Sequence, residues 1–111
     1  IEITKSNQIH LSISMYPHLP QIVPENKVYG TDMNSLYNRI FEKRVLSLSQ
    51  KENIFFKSFY EPISQSVLSN KRLYLSNDMH FNAYGFDYLA ELVTEWVVRN
   101  PQKSIGFAPQ K

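Results

Sequence analysis

The chain has 111 residues, of which 42% are hydrophobic, 14% aromatic and 20% charged, with a formal net charge of +2. That is enough for one small domain with a modest core, and the balance excludes a wholly disordered chain or a highly charged tail. The lysines and arginines are scattered as Lys43-Arg44, Lys71-Arg72 and singletons among acids, not gathered on one stripe, so no nucleic-acid partner is expected. Cysteine is absent, which excludes disulfides, thiol catalysis and thiolate metal sites. No apolar run approaches the roughly 18 residues that cross a bilayer. The start, Ile1-Glu2-Ile3-Thr4-Lys5, lacks the basic and apolar regions of a signal peptide and an initiator methionine, so a piece of a longer polypeptide is expected.

The first element is a strand over Ile9 to Met15. Ile9, Leu11, Ile13 and Met15 recur with period two and share one face, while His10, Ser12 and Ser14 take the other. Pro17 and Pro20 end it. Thr31 or Asp32 then caps a helix with a stripe of Met33, Leu36, Tyr37, Ile40 and Phe41, continuing through Leu46. Ile54-Phe55-Phe56 reads as a second buried strand, and Pro62 with the serine-rich 64–70 stretch as a loop or loose helix. Leu73-Tyr74-Leu75 is a short apolar piece. The strongest element is a helix capped by Asn82 and running to about Arg99, with Phe86, Leu89, Ala90, Val93, Trp96 and Val97 as its stripe. Pro101 stops it. Residues 101–111 are expected as a flexible tail. Strand, helix, strand, loop, helix is the order of an α/β layered domain over residues 1–100.

The segment Leu75-Ser76-Asn77-Asp78-Met79-His80-Phe81-Asn82 puts a carboxylate two residues before an imidazole, just ahead of a helix. In extended backbone, residues i and i+2 point the same way, so Asp78 and His80 can meet. Asp78 would then orient the ring and leave its second nitrogen as a base, a task for which imidazole is suited because its unperturbed pKa is near neutrality. A plainer reading stands beside it: Asp78 caps a turn and His80 packs at a helix entrance. His18, past the end of the first strand, is a rim residue of the same site or a solvent-facing loop histidine. His18, Asp78 and His80 have ligand types suited to zinc or iron, but nothing in their spacing fixes a shared geometry. No metal and no cofactor are expected.

The stretch Asp78-Met79-His80-Phe81-Asn82-Ala83-Tyr84-Gly85, followed by an amphipathic helix, resembles the last sequence block of the SGNH/GDSL hydrolase superfamily. Its Asp-x-His spacing, tighter than the common Asp-x-x-His, is similar to the branch of alginate O-acetyltransferases and related envelope acyltransferases. The strand leading into Tyr16-Pro17-His18 is similar to a mid-domain strand there. The resemblance implies a partial three-layer, SGNH or flavodoxin-like α/β domain with a short, mainly parallel sheet flanked by helices. It makes His80 a general base and Asp78 its orienting carboxylate; with His18, Asn82 is a candidate for the rim of that site. It also implies an acylated small-molecule or glycan substrate and a periplasmic or cell-envelope location.

The chain departs from that family in lacking a Gly-Asp-Ser nucleophile block, which the family carries N-terminally. Asn34-Ser35-Leu36 looks like one, but Ser35 falls inside the expected helix and not on the sharp strand-to-helix turn a nucleophile needs. The expectation is therefore the C-terminal half of a serine esterase or O-acyltransferase-like domain, inactive alone. The rival is a non-catalytic glycan- or protein-binding module presenting Phe55, Phe59 and Tyr60.

Overall fold

Two short extended stretches, one alternating serine with Ile13 and Met15 and one opening on Phe55-Phe56, lie side by side in a computed structural model that describes residues 1–23, 39–76 and 78–105. Strand β1 (Ser12–Met15) pairs in parallel with β2 (Phe55–Ser58), Ser12 opposite Phe55 and Met15 opposite Ser58. Parallel neighbours need a crossover, and here it contains a helix. In chain order the helices among the described residues are α1 (Glu2–Ser6), α2 (Leu19–Ile22), α3 (Ile40–Lys51), α4 (Tyr60–Leu68), α5 (Ala83–Arg99) and α6 (Pro101–Ile105). The domain is mixed α/β with a short parallel sheet, the class expected.

Several boundaries move, each for a local reason. Ile9 is exposed and lies outside β1 because it closes α1 instead. The Ile9 N–H reaches Thr4 C=O and the Gln8 N–H reaches Lys5 C=O, with Gln8 left-handed at φ 56°, which is the hydrogen-bond pattern of a Schellman cap. The same closure ends α3 through Asn53 (φ 54°) and α4 through Asn70 (φ 66°). Arg39, at φ 50°, precedes Ile40, so α3 begins there and runs past Leu46 to Lys51. Residues 31–38 lie outside the described residues. The serine-rich stretch is an ordinary helix, α4. Pro62 sits in its first turn, where the missing N–H would have no helical partner anyway. Pro101 to Ile105, expected to begin a tail, form α6, held beside β1 by a contact from His10 Nε2 to the Lys103 carbonyl.

The core consists of Leu19, Ile22, Phe59, Ile63, Leu73, Tyr74, Phe81 and Trp96. Helix α5 lays Tyr88, Leu89, Leu92, Val93 and Val97 against it. Its buried line is thus rotated from the expected stripe: Ala90 is exposed and Phe86 is 53% exposed, while Gly85 is buried. The cause is a close approach. A Cβ on Gly85 would meet the Leu73 carbonyl oxygen and, at 2.6 Å, the Phe81 ring, so only glycine lets the first turn seat that deeply. Among the described residues no helix is long and apolar enough to cross a membrane.

Candidate functional site

The Asp78–His80 segment is a loop clamped at its base. The Asn82 N–H donates to Leu73 C=O (2.9 Å), Leu75 N–H to His80 C=O (3.0 Å) and Asp78 N–H to Leu75 C=O (3.3 Å). Tyr74 and Phe81 form an antiparallel bridge across it, their rings 4.6 Å apart. Apolar Leu73, Tyr74 and Phe81 anchor the two stems in the core, and Ser76 and His80 between them are exposed. The expected short apolar piece is therefore one stem of this clamp.

Within the loop Asp78 Oδ1 accepts two hydrogen bonds from His80, one from its backbone N–H at 2.9 Å and one from ring Nδ1 at 2.6 Å. The first closes a turn and the second orients the ring, while the His80 side chain is exposed and does not pack at the helix entrance. The donated N–H bonds, the backbone one foremost and the ring second, hold the Asp78 carboxyl below the ordinary carboxylate value. An ionised carboxylate only accepts, so the proton of this contact resides on Nδ1. In the neutral ring Nε2 then carries a lone pair, and it has no partner among the described residues. The His80 side chain is 74% exposed and that of Asp78 42%. The geometry suits proton acceptance at Nε2 from a group approaching from solvent.

Asn82 has a structural task. Its Oδ1 accepts from the Gly85 N–H (2.9 Å) and its Nδ2 donates to Arg72 C=O (2.7 Å), so it caps α5 and ties down the loop stem. His18 is exposed at the start of α2, where the Gln21 side chain accepts from its backbone N–H (2.7 Å). His18 and the loop meet through a third residue. The Tyr16 ring stacks on Phe81 at 4.8 Å and lies 6.5 Å from the His18 ring. The Tyr74 hydroxyl donates to Pro17 C=O, and burial, with the Tyr16 phenol behind it, keeps that hydroxyl protonated by raising its pKa. The loop is thereby fastened to the carboxyl end of β1. Among the described residues no three His, Asp or Glu side chains converge as a metal cluster would require.

At the same carboxyl ends lies a cavity of about 290 Å³ walled by Met15, Tyr16, Ile40 and Phe41, with His18, Gln21, Glu42 and Ser58 as its polar lining. Ligands of open α/β sheets bind in this position. Asp78 and His80 do not line it, and Tyr16 is the shared boundary between cavity and loop. Glu42 is engaged by Arg39 through both oxygens at 2.6 Å, and the Arg39 guanidinium lies 3.7 Å over the Tyr60 ring.

Tyr16, Tyr74, Gly85 and Glu42 were missed as supports. The only signal for the first three was adjacency to the motifs, since Tyr16 and Tyr74 have their partners Phe81 and Pro17 far along the chain and the approach of Leu73 to Gly85 exists only in the fold. Ser35 lies outside the described residues. Phe55, Phe59 and Tyr60 do not form the expected binding surface: Phe59 is 2% exposed, Phe55 stacks on Trp96 at 5.3 Å, and Tyr60 is half-buried with its hydroxyl on Gln21 C=O. Compared with models of protein families, with characterised proteins and with solved structures, the chain matches none.

Proposed function

We propose that Asp78 and His80 are the base pair of a serine esterase or O-acyltransferase of SGNH type, with the nucleophilic serine carried by sequence outside these 111 residues. The observation that carries this reading is the 2.6 Å contact from Asp78 Oδ1 to His80 Nδ1, which leaves Nε2 directed to chemistry. His80 Nε2 takes the proton of the serine hydroxyl as Oγ attacks the acyl carbonyl. It returns that proton to the departing alcohol as the acyl-enzyme forms. Asp78 holds the ring in the required tautomer and stabilises the imidazolium while it exists. Water or an acceptor hydroxyl then releases the acyl group by the reverse proton path. The family resemblance points the same way and suggests an acylated glycan of the cell envelope as substrate. The burial of Phe59 supports this reading over the binding-module alternative.

The test uses the full-length polypeptide that contains this sequence and nitrophenyl acetate as substrate. His80→Ala is expected to lower kcat by about 10²- to 10⁴-fold with an unchanged circular dichroism melt. An unchanged kcat overturns the base assignment. Turnover by the 111 residues alone, lost in His80→Ala, overturns only the external serine.

A further inference from the structure

The rotation of α5 leaves part of its apolar surface in solvent. Phe86, Ala90, Thr94 and Val98 recur every four residues, and all four are exposed, Val98 at 70%. Such a row is the ridge along which one helix packs into the groove of another. This ridge is low at its middle, where Ala90 and Thr94 are small. Beside it runs an exposed row with Asp87 and Glu91, acids that have no ion pair among the described residues. Glu95, next in that row, is held by Arg99 at 2.6 Å.

Helix α3 carries the opposite pattern. Ile40, Arg44 and Leu48 are also four residues apart on one exposed ridge, and Lys43 and Lys51 lie on the exposed row beside it. None of these three cations has an ion pair among the described residues. The acids at the two ends of the helix, Glu42 and Glu52, are already paired with Arg39 and Lys5. Each helix thus shows an apolar ridge with unpaired charge of one sign, and the signs differ.

The two ridges belong to opposite faces of the sheet. Ser58 hydrogen-bonds to Glu42 of α3, whereas Phe55 stacks on Trp96 of α5. Residues three apart in a strand point to opposite sides. The two ridges can therefore meet only between separate molecules.

We propose that α3 of one copy of this chain docks on α5 of the next. Ile40 and Leu48 settle against the low middle of the α5 ridge, with the four-residue ridges of both helices interdigitating. Lys43, Arg44 and Lys51 then face Asp87 and Glu91. Pairing α5 with α5, or α3 with α3, would set like charges together and is disfavoured. Because the two faces lie on opposite sides of the sheet, a pair still has one of each uncovered. Association is therefore head-to-tail and continues past the dimer. One helix on one helix is less than a stable interface buries, so the association is weak.

Sedimentation equilibrium of the full-length polypeptide tests this. Its weight-average mass should rise with concentration beyond the dimer value, and fall back in about 1 M salt, where the screening length is about 3 Å. Charge reversal then identifies the faces. The double variant Asp87→Lys, Glu91→Lys and the double variant Arg44→Glu, Lys51→Glu change only exposed positions. Each alone should self-associate at least about tenfold more weakly, with an unchanged circular dichroism melt. An equimolar mixture should restore association, since each altered face then meets its complement. A mixture of folded variants that stays monomeric overturns the pairing. So does a wild type that is monomeric at every concentration, one that stops at the dimer, or an association that neither salt nor charge reversal weakens.

Discussion

Glu42 and Asp78 each have an oxygen 2.6 Å from a nitrogen of another side chain, and the two contacts serve different ends. Glu42 has both oxygens on Arg39 and a further hydrogen bond from Ser58, with its side chain only 13% exposed. Burial by itself would raise its pKa; the hydrogen bonds from Arg39 and Ser58 outweigh burial and hold it below the ordinary value. Asp78 instead places two bonds on one oxygen, at the surface, and its partner ring has a second nitrogen to offer. A short ion-pair distance therefore does not mark a reactive site. What separates the two is whether the partner can accept a proton: the Arg39 guanidinium only donates, whereas the imidazole is oriented by its carboxylate and left with a lone pair.

The comparison breaks most severely at Gly85. Gly85→Ala drives a methyl group into the Leu73 carbonyl, a backbone atom that also accepts from Asn82 N–H. About 3 kcal/mol of stability should be lost, at the upper end of overpacking costs. A urea melt measures it, and a loss under about 0.5 kcal/mol would show that the first turn of α5 yields easily. Arg39→Met is the matching change at the other pair. It leaves a mostly buried carboxylate without its two charged donors and removes the guanidinium from the Tyr60 ring, for an expected cost of about 2 kcal/mol. The His80 ring resonances should stay where they are, because Arg39 supports the sheet end and not the loop. Movement of those resonances would couple two regions that the geometry keeps apart.

Both pairs are local in the chain, so chain separation explains the legibility of the loop's supports and not that of the Arg39–Glu42 pair. Asp78 and His80 are two residues apart, and Asn82 lies three before Gly85, so the oriented ring and the helix cap could be read from spacing alone. The α/β order was readable for the same reason, since each element carries its own periodicity. The rest depends on partners far along the chain. Tyr74 is recognisable as a support only once its hydroxyl is seen on Pro17, 57 residues away. The Schellman closures at Gln8, Asn53 and Asn70 were illegible because the usual marker, glycine, is replaced by polar residues in the left-handed region. The rotation of α5 was hidden because Phe86 looks more like a core residue than Gly85 does, and only the approach of Leu73 reverses the order.

A smaller effect is expected at the cap that joins loop and helix. Asn82→Ala removes the acceptor for Gly85 N–H and the donor to Arg72 C=O, and should cost about 1 kcal/mol. Asn82→Ser restores the acceptor without reaching Arg72, so recovery of most of that loss would assign it to the cap. Recovery of little would assign it to the stem.

Asp78→Asn should have the least effect on stability and the most specific effect on the ring. Both partners are substantially exposed, so the melting temperature at neutral pH should not change measurably. The native Asp78 carboxyl lies below its ordinary value of 3.8, so whatever it adds to folding is fully present above that value and fades as the pH falls through the lower native one. The wild-type His80 amide resonance should therefore shift in that acidic window, and the Asn variant's should not. At neutral pH the ring itself decides the matter. The carboxylate requires the proton on Nδ1, whereas an asparagine amide can accept from Nδ1–H or donate to a bare Nδ1. Long-range ¹H–¹⁵N spectra should show the Nδ1–H tautomer in the wild type and a mixture in Asp78→Asn. A wild type that is already mixed would mean that the 2.6 Å contact does not orient His80, and a fixed lone pair would then no longer distinguish the Asp78 contact from that of Glu42.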